Sequence, residues 1–116
     1  MFFTKRIKYD HFNYRIFELV ENGKMVLDVG CATGKLLESL KINKNCQVFG
    51  MEVNEDMADE ANKRCKNIIR ADVESCEELP FEKGSFDIII FADVLEHLKR
   101  PDIALRRAIP YLKDNG

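Results

Sequence analysis

The run Phe86-Asp87-Ile88-Ile89-Ile90-Phe91-Ala92 constrains the fold more than any other segment. Its apolar residues are consecutive rather than alternating, so a strand built from it must be covered on both faces. Sheets covered on both faces are parallel sheets flanked by helices, and the chain has the alternation such a fold needs. Met25-Val26-Leu27-Asp28-Val29, Gln47-Val48-Phe49-Gly50-Met51-Glu52 and Asn67-Ile68-Ile69-Arg70-Ala71 read as three further strands. Asp10 precedes Phe12, Ile16, Leu19 and Val20, a helical stripe that stops at Asn22-Gly23. Residues 35–41 place Leu36, Leu37 and Leu40 on one helical face. Asn54 caps the next helix, with Glu55 and Asp56 in its first turn and Lys63 and Arg64 in its last, which suits the helix dipole at both ends. Residues 79–85, with Pro80 and Gly84, are loop. The final helix starts at Pro101 and runs through Ile103, Ala104, Leu105, Ala108 and Leu112, bent or shortened by Pro110.

At 116 residues the chain is long enough for one domain, spanning 1–116, and too short for two. A net charge of −2 argues against a general nucleic-acid binder, which needs a basic face to pair with phosphates. No run approaches the roughly 20 apolar residues that cross a bilayer. The opening Met1-Phe2-Phe3-Thr4-Lys5-Arg6 meets charge too early for a secretory signal. Cys31, Cys46, Cys65 and Cys76 lack metal-ligand spacing, so they read as reduced thiols of a cytoplasmic protein with no metal site.

In an open parallel sheet, ligands bind beyond the carboxyl ends of the strands. The residues there are 28–34, Glu52, Asp72 and 92–97. Gly30-Cys31-Ala32-Thr33-Gly34 is a glycine-bracketed turn entering a helix. A dinucleotide site wants G-x-G-x-x-G, with pyrophosphate on the helix N-terminus. This turn lacks the middle glycine, and its crowding favours a smaller zwitterionic or uncharged group. Glu52, at the end of the second strand, is placed to accept both hydroxyl hydrogens of a ribose. Asp72, at the end of the third, is placed to accept the amino hydrogens of adenine. Together they outline a nucleoside site without a phosphate cradle.

Six segments in order carry a resemblance. Val26 to Gly34 resembles the first motif of class I S-adenosylmethionine-dependent methyltransferases. Val48-Phe49-Gly50-Met51-Glu52 resembles their ribose-binding strand, and Ala71-Asp72-Val73 their adenine-binding one. Leu79-Pro80-Phe81, Ser85-Phe86-Asp87 and Val94-Leu95-Glu96-His97-Leu98 resemble the small-molecule-type branch. The resemblance implies a Rossmann-like doubly wound parallel sheet of seven strands in the order 3-2-1-4-5-7-6. This chain carries its N-terminal four-strand portion, so the fourth strand is expected at an open edge able to pair with a second copy.

The resemblance also implies a cofactor, S-adenosylmethionine, a product, S-adenosylhomocysteine, and a small-molecule methyl acceptor. Asp28 would hold the glycine turn and reach the methionine amino group. Gly30, Cys31 and Gly34 would approach the methionine part. Glu52 would hold the ribose and Val53 would pack on adenine. Asp72 and the Val73 amide would read the adenine edge, and a carbonyl of Ala92 or Asp93 would face the ammonium. Ala32 departs from the family pattern, which commonly has glycine there. His97 is the one residue near the site with a near-neutral ordinary pKa, and it reads either as a base for the acceptor or as a helix-start residue. Cys31 reads as a packing residue or a thiol, and Glu74, Glu77, Glu78 and Glu82 as a solvated acidic surface. Tyr9, His11, Phe12 and Tyr14 read as a lid or as packing of the first helix. The rival functions are a cofactor-binding module without turnover and a dinucleotide enzyme.

Overall fold

The computed structural model describes residues 14–91 and 97–116. Their elements follow in the order α1 (Tyr14–Leu19), β1 (Met25–Val29), α2 (Lys35–Lys44), β2 (Gln47–Met51), α3 (Glu55–Arg64), β3 (Ile68–Ile69), β4 (Ile88–Ile90) and α4 (Pro101–Ala108), then a 3-10 turn at Ile109–Tyr111. The strands form one sheet in the order β3-β2-β1-β4. Every described pairing is parallel, with Asp28 beside Gly50 on one side and beside Ile90 on the other. This is the four-strand portion of the expected doubly wound α/β fold.

The sheet separates two apolar layers. Val26, Val48 and Ile90 pack with Leu36, Leu37 and Leu40 of α2 and Ala61 of α3. Leu27, Val29 and Met51 pack on the other face with Phe86, Tyr111 and the small residues Ala104 and Ala108 of α4. Burying one such aliphatic side chain contributes about 1.5–3 kcal/mol, so β1, buried from Val26 to Val29, lies at the centre of the core. Phe49, Phe81 and Phe86 meet edge to face at centroid separations of 5.4–6.0 Å, which ties the loop before β4 to the sheet. The Met25 amide donates to Asp87 Oδ2 (2.8 Å) and Lys113 pairs with its other oxygen. These two contacts, the amide first, hold the Asp87 carboxyl below its ordinary value.

Three expectations need correction. The first helix half-buries Ile16 and Phe17 and leaves Leu19 73% exposed, while the buried Val20 lies just past its end. Lys44 sets that phase: its ammonium sits over the Phe17 ring and donates to the carbonyls of Phe17 and Val20, fastening the end of α1. The third strand has only two ladder residues, although hydrogen bonds to β2 run from the Asn67 carbonyl to the Ala71 amide. The fourth strand is Ile88–Ile90, shorter than the apolar run. Phe86 instead bridges Leu112 in parallel on the outer side, donating to the Tyr111 carbonyl and accepting from the Lys113 amide. The expected open edge is therefore partly covered at its start by the segment that follows α4. As expected, Pro101 opens α4 and Pro110 converts its end to a 3-10 turn. None of the described helices is long and apolar enough to cross a membrane.

Candidate cofactor site

A cavity of about 310 Å³ opens at the carboxyl ends of β1, β2 and β3. Gly30 and Ala32 line it after β1, Glu52 and Val53 after β2, and Asp72 and Val73 after β3. His97, exposed, and Leu98 line it as well. Residues distant in sequence converge because parallel strands all end on the same side of the sheet.

The hydrogen bonds of the glycine turn decide what it can bind. The amides of Gly30 and Cys31 both donate to the Met51 carbonyl (2.8 and 2.9 Å), and the Gly34 amide donates to the Cys31 carbonyl (3.0 Å). The Ala32 amide donates to Glu52 Oε1 (2.8 Å). Four of the five turn amides are thus committed within the protein. A pyrophosphate cradle works by aiming free amides at the anion, and this turn is not one. Glu52 is buried, and its second oxygen accepts the Asn54 amide (3.0 Å). Each carboxylate oxygen has a further lone-pair site, so Glu52 can bridge the turn and still accept from a ligand hydroxyl.

Asp72 is arranged similarly. Its Oδ1 accepts the Glu74 amide (2.9 Å), its Oδ2 accepts the Ser75 hydroxyl (3.1 Å), and its carbonyl accepts the amides of Ser75 and Cys76. The carboxylate is fixed by its own turn at the cavity wall, with acceptor capacity remaining. Val53, just before the cap of α3, and Met57, in its first turn, are 58% and 42% exposed. They form an apolar shelf beside Glu52, of the kind a flat heterocycle packs on.

Other expected residues stand behind the wall. Asp28 is buried beneath the turn. Cys31 is 5% exposed, and a Cβ added at Gly50 would come within 2.8 Å of its sulfur, so its side chain packs into the sheet. Burial, then the Asp28 and Glu52 carboxylates, push the Cys31 thiol up, which makes it a packing residue rather than a nucleophile. Gly34 packs on α3, where an added Cβ would lie 3.0 Å from Ala61 Cβ. Arg64, at the end of α3, donates to the Thr33 carbonyl (3.1 Å) and pairs with Glu38 and Glu60. Ala92, Asp93, Tyr9, His11 and Phe12 lie outside the described residues.

Sequence reasoning missed Met57 and Leu98 as wall residues. The signal for Met57 was present: an apolar residue in the otherwise acidic first turn of α3, four positions after the apolar Val53 that precedes the cap. It also missed the conformation of Ala32, which has φ +52°. An L-residue there carries roughly 1–2 kcal/mol of strain. Ala32→Gly is expected to stabilise the fold by about 0.5–1 kcal/mol, since relief of strain exceeds glycine's entropic cost. In urea unfolding the midpoint should rise at unchanged slope; a lower midpoint would contradict the assignment.

Residues 27–116 match the methyltransferase domain family. An uncharacterized protein of Methanocaldococcus jannaschii is 42% identical over 101 residues, which cover 84% of this chain and 36% of the relative. A ubiquinone biosynthesis O-methyltransferase of Coxiella burnetii is 29% identical over 102 residues, covering 85% of this chain and 43% of the relative. The crystal structure of an S-adenosylmethionine-dependent methyltransferase from Thermotoga maritima superposes with a TM-score of 0.69 at 26% identity, covering 84% of this chain and 43% of that one. The chain thus spans less than half the length of these relatives.

Proposed function

The chain belongs to the methyltransferase domain family, whose cofactor is S-adenosylmethionine, and on that premise we propose that the cavity above β1–β3 binds this cofactor for methyl transfer to a small-molecule acceptor. The observation that carries the reading is the donor set. The turn amides are spent on Met51, Glu52 and Cys31, while two carboxylates, Glu52 and Asp72, reach the cavity. Such a site repels phosphate and suits a ligand that offers hydroxyls, an amino group and positive charge.

In this reading Glu52 accepts the ribose hydroxyls, and Val53 and Met57 pack on one face of adenine. Asp72 accepts from the adenine amino group and the Val73 amide donates to a ring nitrogen. Gly30 and the turn carbonyls flank the methionine part, with Asp28 supporting the turn from below. The bound cofactor supplies an electrophilic methyl group on a sulfonium. The chain contributes position, because an in-line displacement depends on donor and acceptor being held close and aligned. In this reading His97, which lines the same cavity, takes the acceptor's proton as the new bond forms.

Titration calorimetry tests the reading. Micromolar binding of S-adenosylhomocysteine with no heat from NAD is expected; tight NAD binding, or no binding of S-adenosylhomocysteine, would overturn it. Release of labelled methyl to an acceptor panel then separates turnover from cofactor retention alone.

A further inference from the structure

Helix α4 grips the base-reading turn at two points. The Arg100 amide, at the start of α4, donates to Glu74 Oε2 (2.8 Å). Seven residues on, Arg107 Nη1 donates to the carbonyls of Glu74 (2.7 Å) and Val73 (3.3 Å). One grip is the backbone of the residue that opens the helix and the other a side chain from its last turn, and both end on Glu74. Arg107 is half-buried, and the same helix buries Ala104 and Ala108, whose small side chains bring it close to the sheet. The turn it holds carries Asp72 and Val73 at the cavity wall, and His97 and Leu98, which precede Arg100, line the same cavity. Glu74 therefore ties together two cavity-lining segments that are far apart in sequence, a role unlike the solvated surface its acidic neighbourhood suggested.

We propose that Arg107 is a specificity-positioning residue, which holds residues 72–74 in the one orientation where the Asp72 carboxylate and the Val73 amide read an adenine edge. The inference rests on the cofactor reading above. Its physical basis is a chain of bonds. The peptide joining Val73 to Glu74 offers its carbonyl to Arg107 and its N–H to Asp72 Oδ1. While the guanidinium holds the carbonyl, the N–H points at the carboxylate and fixes its rotation. Without the guanidinium that peptide can rotate toward water and the N–H leaves Oδ1, so the carboxylate keeps only the Ser75 hydroxyl on Oδ2 and presents a less sharply fixed acceptor. A fixed acceptor and a fixed donor together distinguish the base from its deaminated form, since adenine offers an amino group and an unprotonated ring nitrogen where hypoxanthine has a carbonyl and a ring N–H.

The test compares dissociation constants of S-adenosylhomocysteine and S-inosylhomocysteine on wild-type protein, Arg107→Met, Arg107→Lys and Glu74→Gln. Wild type is expected to prefer the adenine ligand by at least roughly tenfold, and Arg107→Met to reduce that preference to about twofold. Arg107→Lys, whose shorter side chain carries a point charge in place of the planar guanidinium, should fall between. Glu74→Gln keeps an acceptor for the Arg100 amide and should retain most of the preference. A purely structural arginine would lower the melting temperature and leave the ratio of the two constants unchanged, and that result overturns the proposal. If Arg107→Met does not fold, an undiminished ratio in folded Arg107→Lys overturns it equally. Wild-type protein that binds neither ligand overturns the cofactor reading itself, and the positioning role with it; wild-type protein that binds both equally overturns the base-reading role alone.

Discussion

Glu52→Ala is expected to weaken S-adenosylhomocysteine binding by about 3 kcal/mol, on the order of a hundredfold in Kd. The loss has two sources. The variant removes the acceptor proposed for the ribose hydroxyls, and it releases the amides of Ala32 and Asn54, which both donate to the same carboxylate. Freed, the Ala32 amide has no reason to hold its residue at φ +52°, so the turn relaxes and the cavity loses its shape. Glu52→Gln separates the two contributions. Its carbonyl oxygen still accepts one amide, but its NH2 faces the other as a donor against a donor. Calorimetry should place it between wild type and alanine. Wild-type affinity in a folded Glu52→Ala protein would show that the ribose lies elsewhere.

The second large effect falls on stability. Gly34→Ala should destabilise the fold by about 3 kcal/mol, lowering Tm by roughly 15 °C. Part is the left-handed backbone at Gly34, φ +81°. The rest is collision of the new methyl with Cβ and Cα of Ala61, at 3.0 and 3.1 Å. Because Cα is backbone, α3 itself must move, and with it Val53 and Met57 at the cavity. Gly84 is the internal comparison: it has φ +70° and nothing within 4 Å of an added Cβ, so Gly84→Ala carries the strain alone, about 1 kcal/mol. Calorimetric melting of both variants isolates the contact; equal losses would mean that the approach of α3 to the turn contributes nothing.

Much of the fold was legible because its signals are local. Asn54 caps α3 through its side chain, accepting from the Met57 amide, and Glu55, Asp56, Lys63 and Arg64 occupy the helix ends that suit them. The apolar run at Ile88–Ile90 lies beside β1 with a core layer on either side. What failed were phases and lengths. Leu19 and Leu105 counted as apolar stripe residues, yet both are exposed. A stripe read from composition alone does not reveal that Lys44 clamps the end of α1 or that alanines carry the contact of α4.

The site divides the same way. Which strands end in Gly30, Glu52 and Asp72 follows from strand order and spacing, and a parallel sheet gathers those ends without further instruction. Which atoms remain available there is a different matter. The commitment of the turn amides to Met51 and Glu52, the withdrawal of Cys31 into the core, and the grip of Arg100 and Arg107 on residues 73–74 all join segments some 20 to 34 residues apart. A hydrogen bond spends a donor only when packing brings an acceptor within about 3 Å at a workable angle. The chain's own order therefore determined the layers and the candidate acids, and only the tertiary structure decided which of their donors and acceptors a ligand can still use.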